Sequence, residues 1–273
     1  MNKKTPIYKN DLKFSENFDL EKSEFDSEMV KKIYNDHKNK PKIELRILDT
    51  EMEGFKYFDL SNLNLNDDLL QKLLCMNKIK LILEKIIFLD LSSNNLTKKP
   101  DLTKYKNIIY LSISKNNIEG SITDNNLIEL TCDYNKITKI NSSSITKLSA
   151  NNNLIETINL PNIKVLNVNN NKIKEINEYY NLEYLECINN EIKIIRNLIK
   201  LQEIYVGNNK LENIENMPCL LILNCVNNPI KKINYLNNVK LILCSTPLIS
   251  SQYKIININK MKDDYVINID NNV

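Results

Sequence analysis

Eight asparagines, Asn94, Asn116, Asn135, Asn153, Asn171, Asn190, Asn209 and Asn228, recur 18 to 22 residues apart, each eight residues after one aliphatic anchor and two before another. The first four units read IIFLDLSSNNL from Ile86, IIYLSISKNNI from Ile108, LIELTCDYNKI from Leu127 and ITKLSANNNLI from Ile145. The next four are IKVLNVNNNKI from Ile163, LEYLECINNEI from Leu182, LQEIYVGNNKL from Leu201 and LLILNCVNNPI from Leu220. This register decides the fold. Alternating apolar residues such as Leu89 and Leu91, or Leu185 and Cys187, carry the period of a strand, with one face inward and the residues between them outward. A lone unit of this size cannot bury its apolar face, so stability has to come from unit stacked on unit in one parallel sheet.

Every unit fits LxxLxLxxNxL, with L any apolar residue, a pattern that resembles the leucine-rich repeat family over roughly residues 55 to 250. The expected fold is therefore a repeat solenoid, a leucine-rich repeat superhelix, and the resemblance implies that its parallel β-sheet lines a concave face. Asn follows each strand at the turn, where its amide can donate to and accept from backbone groups that the turn leaves unpaired. The eight asparagines should stack as a structural ladder. From Leu127 onward the anchors are 18 or 19 residues apart, so the 11-residue unit leaves seven or eight to return the chain. An average helix needs about 11. The convex side is thus expected to be extended or a 3₁₀ turn, closed by apolar pairs such as Ile195 with Leu198, Ile214 with Met217 and Ile233 with Leu236.

The ends break the pattern. The unit from Phe55 has Leu63 in place of Asn, and the residues between it and Ile86 leave room for a helix. Asn66 as cap, acids at Asp67 and Asp68, and Leu69, Leu70, Leu73 and Leu74 on one face predict a helix over 67–83 as a helical N-terminal cap. A short helix over 27–39, ended by Pro41, and a mobile stretch over 1–20 are expected upstream. Pro247 replaces Asn in the last unit, and YKIININK and YVINID alternate as strands that could cover the final coil. The expected organisation is 1–50 as an N-terminal flank, 51–250 as a solenoid of about ten coils, and 251–273 as a C-terminal cap.

Composition narrows the function. A net charge of +3, and only Arg46 and Arg196 as arginines among 37 basic residues, argue against nucleic acid and against an anionic membrane. The wealth of Asn, Ile and Lys is that of AT-rich codons, as in a large DNA virus or a protist. No apolar run matches a signal peptide or a membrane span, which with six cysteines outside any paired spacing predicts a soluble intracellular, cytoplasmic protein. Cys132, Cys187, Cys225 and Cys244 fall on inward strand positions and read as buried thiols. No metal site is expected without CxxC spacing or histidine partners. The sequons at Asn95 and Asn141 match a motif without a secretory route. His37 is the sole histidine and has no motif partner, and the three glycines cannot form a phosphate loop, so no enzyme activity, cofactor or small-molecule substrate is expected.

Function is expected in the outward strand residues. Near the N-terminal end Tyr57, Phe88 and Tyr110 fall in one column beside Asp59 and Asp90, and toward the C-terminal end Tyr184, Ile188, Tyr205, Ile222 and Val226 form an apolar cluster. Contiguous aromatic and aliphatic residues suit a protein-binding hot spot. They also suit a strand whose outward residues are simply β-formers. Members of the family commonly bind proteins, which implies a non-catalytic interaction module binding a polypeptide partner on its concave face. The alternative is a regulatory or recruiting subunit of a phosphatase or ubiquitin-ligase assembly that works through the N-terminal flank.

Overall fold

Each LxxLxL segment places a three- or four-residue strand between an inward anchor and the Asn turn, and ten such strands stack in parallel from Tyr57–Asp59 to Leu241–Cys244. The computed structural model describes residues 40–52, 54–234, 236, 238–245, 254–261 and 264–270. The chain divides at Lys40, and apart from that residue every described element lies in the unit 41–273. The register is the one the repeat dictates, with Leu89 opposite Leu111, Leu166 opposite Leu185 and Ile204 opposite Leu223. Inward anchors such as Leu89, Leu91, Leu130, Leu166 and Leu185 are fully buried. Each contributes about 1.5–3 kcal/mol of hydrophobic stabilisation.

The return arcs are extended, as repeat length requires. They pair in turn as a three-stranded parallel sheet, Glu119–Thr123 with Lys136–Asn141 and Thr157–Asn159, and as two two-stranded ones. Those join Glu175–Asn177 to Ile194–Arg196 and Asn213–Glu215 to Lys232–Asn234. The apolar pairs expected in the later arcs are buried, Ile195 with Leu198, Ile214 with Met217 and Ile233 with Leu236. Cys132, Cys187, Cys225 and Cys244 are buried free thiols, while Cys75 and Cys219 are exposed.

Two features correct the expected N-terminal cap. The helix expected over 67–83 is two helices, and a helix Lys40–Met52 (α1) precedes them. Of the two, α2 spans Asp67–Leu74, capped by Asn66 Oδ1 accepting from Leu69 N at 2.9 Å, and α3 spans Asn77–Leu83 after an extended Met76. The break follows from phase. At about 100° per residue, the buried faces Leu70, Leu73, Leu74 and Ile79, Ile82, Leu83 would lie roughly 180° apart on one straight helix. Interrupting the helix at Cys75 and Met76 turns the second face back onto the core.

Pro41 lies in the first turn of α1, where its missing N–H costs nothing. Ile43 and Ile47 of α1 are buried, Arg46 forms an ion pair with Asp59, and Arg46 Nη2 donates to Ser61 O at 3.0 Å. The helix thus caps the first coil and runs across the boundary expected at 50. The helix expected over 27–39 and the stretch 1–20 lie outside the described residues, as does His37. At the other end Leu241–Cys244 pairs antiparallel with Asp264–Asp270, which pairs with Lys254–Met261, so a hairpin extends the sheet beyond the last parallel strand. Among the described residues no helix is long and apolar enough to cross a membrane.

All eight asparagines of the register are buried, at 6–9% exposure. At Asn171 the side-chain amide donates to Val168 O (3.1 Å) and Asn169 O (3.2 Å) of its own turn and to Ala150 O (2.9 Å) of the preceding coil. Its Oδ1 accepts from Ile155 N, again in the preceding coil, at 2.9 Å. The same set recurs at the other seven, from Asn94, which reaches Leu60 O and accepts from Leu63 N and Leu65 N, to Asn228, which reaches Val206 O and accepts from Leu211 N. The ladder has a direction: every rung grips the coil before it. Where Asn is replaced at position 63, buried Leu63 fills the space instead.

Candidate interaction face

Outward residues of the parallel strands form columns because the register carries no offset from coil to coil. One column runs Tyr57, Phe88, Tyr110, Glu129, Lys147, Val165, Tyr184, Glu203, Ile222 and Leu241. All eight candidate residues are half-buried, because each lies against its neighbours in adjoining coils. Tyr57 and Phe88 meet edge to face with centroids 4.9 Å apart, and Phe88 and Tyr110 do so at 6.5 Å. Tyr57 also donates to Asp90 Oδ2 at 3.2 Å. This N-terminal trio is a ladder of rings that already satisfy one another.

The C-terminal cluster comes together in two parts. Tyr184 and Tyr205 lie diagonally on adjacent strands with ring centroids 5.9 Å apart. Tyr184 faces Glu203 across the strands and Glu186 faces Tyr205, so two rings and two carboxylates alternate at the corners of a square. Each phenol bonds the acid on its own strand: Tyr184 donates to Glu186, and Tyr205 to Glu203 Oε2 at 3.3 Å. Burial and then the adjoining carboxylate raise the pKa of both phenols, which keeps them protonated donors. Glu186 Oε2 also accepts from Asn169 Nδ2 at 3.1 Å.

The second part is a row, Ile188, Gly207 and Val226. A Cβ added at Gly207 would lie 3.1 Å from Val226 Cγ2 and 3.9 Å from Ile188 Cγ2, so the two aliphatic residues lean over the glycine and nearly close the gap. Ile222 stands apart from Tyr184, because the coil carrying Glu203 lies between them.

Between the two aromatic regions the face is polar and tightly bonded. Asp133 accepts from Ser149 Oγ at 2.9 Å and from Asn151 N at 2.6 Å. Asn151 Oδ1 then accepts from Asn169 N at 2.8 Å, and Asn169 Oδ1 from Ile188 N at 2.7 Å. A relay of side chains, each accepting the next coil's N–H, therefore runs into the apolar row and stops there, since Ile188 has no acceptor. The outward columns already contain Glu186, Glu203, Asp133 and Gly207, but the residue pattern alone assigns them no role. Two-residue spacing within a strand, as in Tyr184 and Glu186, was the available signal for the first two.

A second asparagine series was also overlooked. The residue before each rung has a left-handed backbone, φ 54° to 57°, at Ser93, Lys115, Tyr134, Asn152, Asn170, Asn189, Asn208 and Asn227. Asn tolerates this region better than most residues. From Asn152 onward the side chains make their own surface ladder, Asn170 to Asn152 at 3.0 Å, Asn189 to Asn170 at 2.6 Å, Asn208 to Asn189 at 2.7 Å and Asn227 to Asn208 at 2.7 Å. Among the described residues no group of three or more His, Cys, Asp or Glu side chains is placed to hold a metal ion.

The leucine-rich repeat domain of APL1 matches this structure with a TM-score of 0.51 and 21% identity, over 61% of this chain and 50% of that one. The leucine-rich repeat domain of APL1B matches at 0.51 and 15% identity, over 73% of this chain and 78% of that one. This chain thus spans about half the length of the first. No family model matches the sequence, and no curated protein is similar to it. The fold is the leucine-rich repeat solenoid, and similarity at this level of identity establishes the fold alone.

Proposed function

We propose that the chain is a non-catalytic interaction module that binds a polypeptide partner on its concave face, with Tyr184, Ile188, Tyr205, Ile222 and Val226 carrying the main contact. The supporting observation is the difference between the two aromatic regions. Tyr57, Phe88 and Tyr110 stack on one another edge to face, whereas Tyr184 and Tyr205 are tilted to each other, each held by a glutamate, beside an aliphatic pair, Ile188 and Val226, that converges over Gly207. Aromatic anchors held rigid by hydrogen bonds lose little entropy on binding. No small molecule, nucleic acid or membrane enters this reading.

The test is affinity capture with the intact chain, followed by mass spectrometry and a direct binding measurement with the protein identified. Ile222→Asp with Val226→Asp should abolish the interaction while circular dichroism stays unchanged. Undiminished binding by that variant would remove the concave face from the reading. Removal of residues 1–50 is a poor control, because it severs α1 and takes Arg46 from Asp59.

A further inference from the structure

The parallel strands present five carboxylates outward, Asp59, Asp90, Glu129, Glu186 and Glu203, and Asp133 adds a sixth from the turn after the strand of Glu129, against one cation, Lys147. The chain as a whole carries +3, so this face is acidic against the balance of the molecule. Two of the six are neutralised within the chain, Asp59 by Arg46 and Glu129 by Lys147 at 2.7 Å. Glu186 and Glu203 have no Lys or Arg within ion-pair distance among the described residues, although lysines pair with acids on other surfaces, as Lys210 does with Glu191 at 3.2 Å and Lys231 with Glu212 at 2.7 Å.

What surrounds these two carboxylates selects the guest. Each is fixed by a tyrosine hydroxyl, Glu186 also by Asn169, and the two rings of the square stand 5.9 Å apart. A planar guanidinium can bond carboxylate oxygens with a rigid fork of donors while its face stacks on an aromatic ring, which a compact ammonium cannot match. Ring quadrupoles and uncompensated anions attract the same cation. Beside the square lies the aliphatic row of Ile188 and Val226.

We infer that the square of Tyr184, Glu186, Glu203 and Tyr205 seats an arginine side chain of the bound polypeptide, whose neighbouring apolar residue rests on Ile188 and Val226. This rests on the concave-face reading above and adds the charge of the partner.

The probe is a fluorescein-labelled pentapeptide alternating leucine with arginine, compared with its citrulline counterpart, equal in shape and uncharged. Fluorescence anisotropy with the full chain at low ionic strength should show binding of the arginine peptide, and binding of the citrulline peptide about tenfold weaker or more. Glu186→Gln with Glu203→Gln should cost the arginine peptide a similar factor, whereas Glu212→Gln should cost nothing. No binding of the arginine peptide, or equal binding of the two peptides, overturns the arginine seat. Binding that ignores the glutamate pair but is lost in Ile222→Asp overturns the seat and keeps the concave face. Binding that ignores both variants overturns the two together.

Discussion

The Oδ1 atom of Asn171 accepts the backbone N–H of Ile155, one coil earlier, at 2.9 Å. A side chain in one coil therefore completes the backbone of the coil before it, and damage at a rung falls on its N-terminal neighbour.

Asn171→Ala removes the acceptor of Ile155 N and the shorter of the two side-chain amide bonds to Ala150 O in a buried turn. The variant should lose about 1–3 kcal/mol in urea unfolding. Hydrogen exchange should speed up at Ile155 in particular. A variant as stable as the parent would mean the ladder carries no stability.

Tyr134 holds a left-handed backbone at φ 57° and is exposed, whereas five later coils place Asn there. A bulky residue in this region costs roughly 1–2 kcal/mol, and Asn less. Tyr134→Asn should raise the melting temperature, with a gain of about 1 kcal/mol in calorimetry. A lower melting temperature would show that the ring makes a compensating contact.

Gly207 leaves room that Val226 nearly fills, its Cγ2 lying 3.1 Å from where a Cβ would stand. Gly207→Ala should destabilise by about 1 kcal/mol through overpacking. Val226→Ala in the same chain should restore it. Strict additivity of the two changes in a double-mutant cycle would refute the contact.

Asp124 Oδ2 lies 2.9 Å from Lys99 Nζ, and Oδ1 accepts from Asn126 N at 2.8 Å and Leu127 N at 2.9 Å. Burial pushes its pKa up, but the Lys99 bond and the two backbone donors outweigh it and leave the pKa lowered. A carboxyl with a depressed folded pKa contributes stability present above its unfolded pKa, near about 4, and lost as pH falls through the folded value. Unfolding free energy should therefore fall below about pH 4, and Asp124→Asn should flatten that slope at a cost on the order of 1 kcal/mol at neutral pH. Identical acid slopes in parent and variant would refute the assignment.

The coils were legible because their register is a local property: the spacing of Leu, Leu and Asn dictates strand, core and rung without reference to anything distant. The extended return arcs followed from length alone. The split between α2 and α3 was also written in the spacing, but only to a reading that carries the helical phase from Leu74 on to Ile79. The surface asparagines were harder to see, since a residue chosen for its φ looks like one supplied by codon composition. The square of Tyr184, Glu186, Glu203 and Tyr205 needs two strands in register. Its members lie in the outward columns, but which phenol bonds which carboxylate depends on side-chain geometry that spacing does not encode.

The pairs Asn152 and Asn153, Asn170 and Asn171, Asn189 and Asn190, Asn208 and Asn209, and Asn227 and Asn228 are the same dipeptide with two separate jobs. The second residue of each is held by its bonds, and replacing it leaves buried backbone groups unpaired. The first is chosen for its backbone angle, and Ser93, Lys115 and Tyr134 show that other side chains can stand there. One edge of this solenoid is therefore a line of evenly spaced positions whose chemistry can be rewritten coil by coil while the adjacent residue keeps the fold.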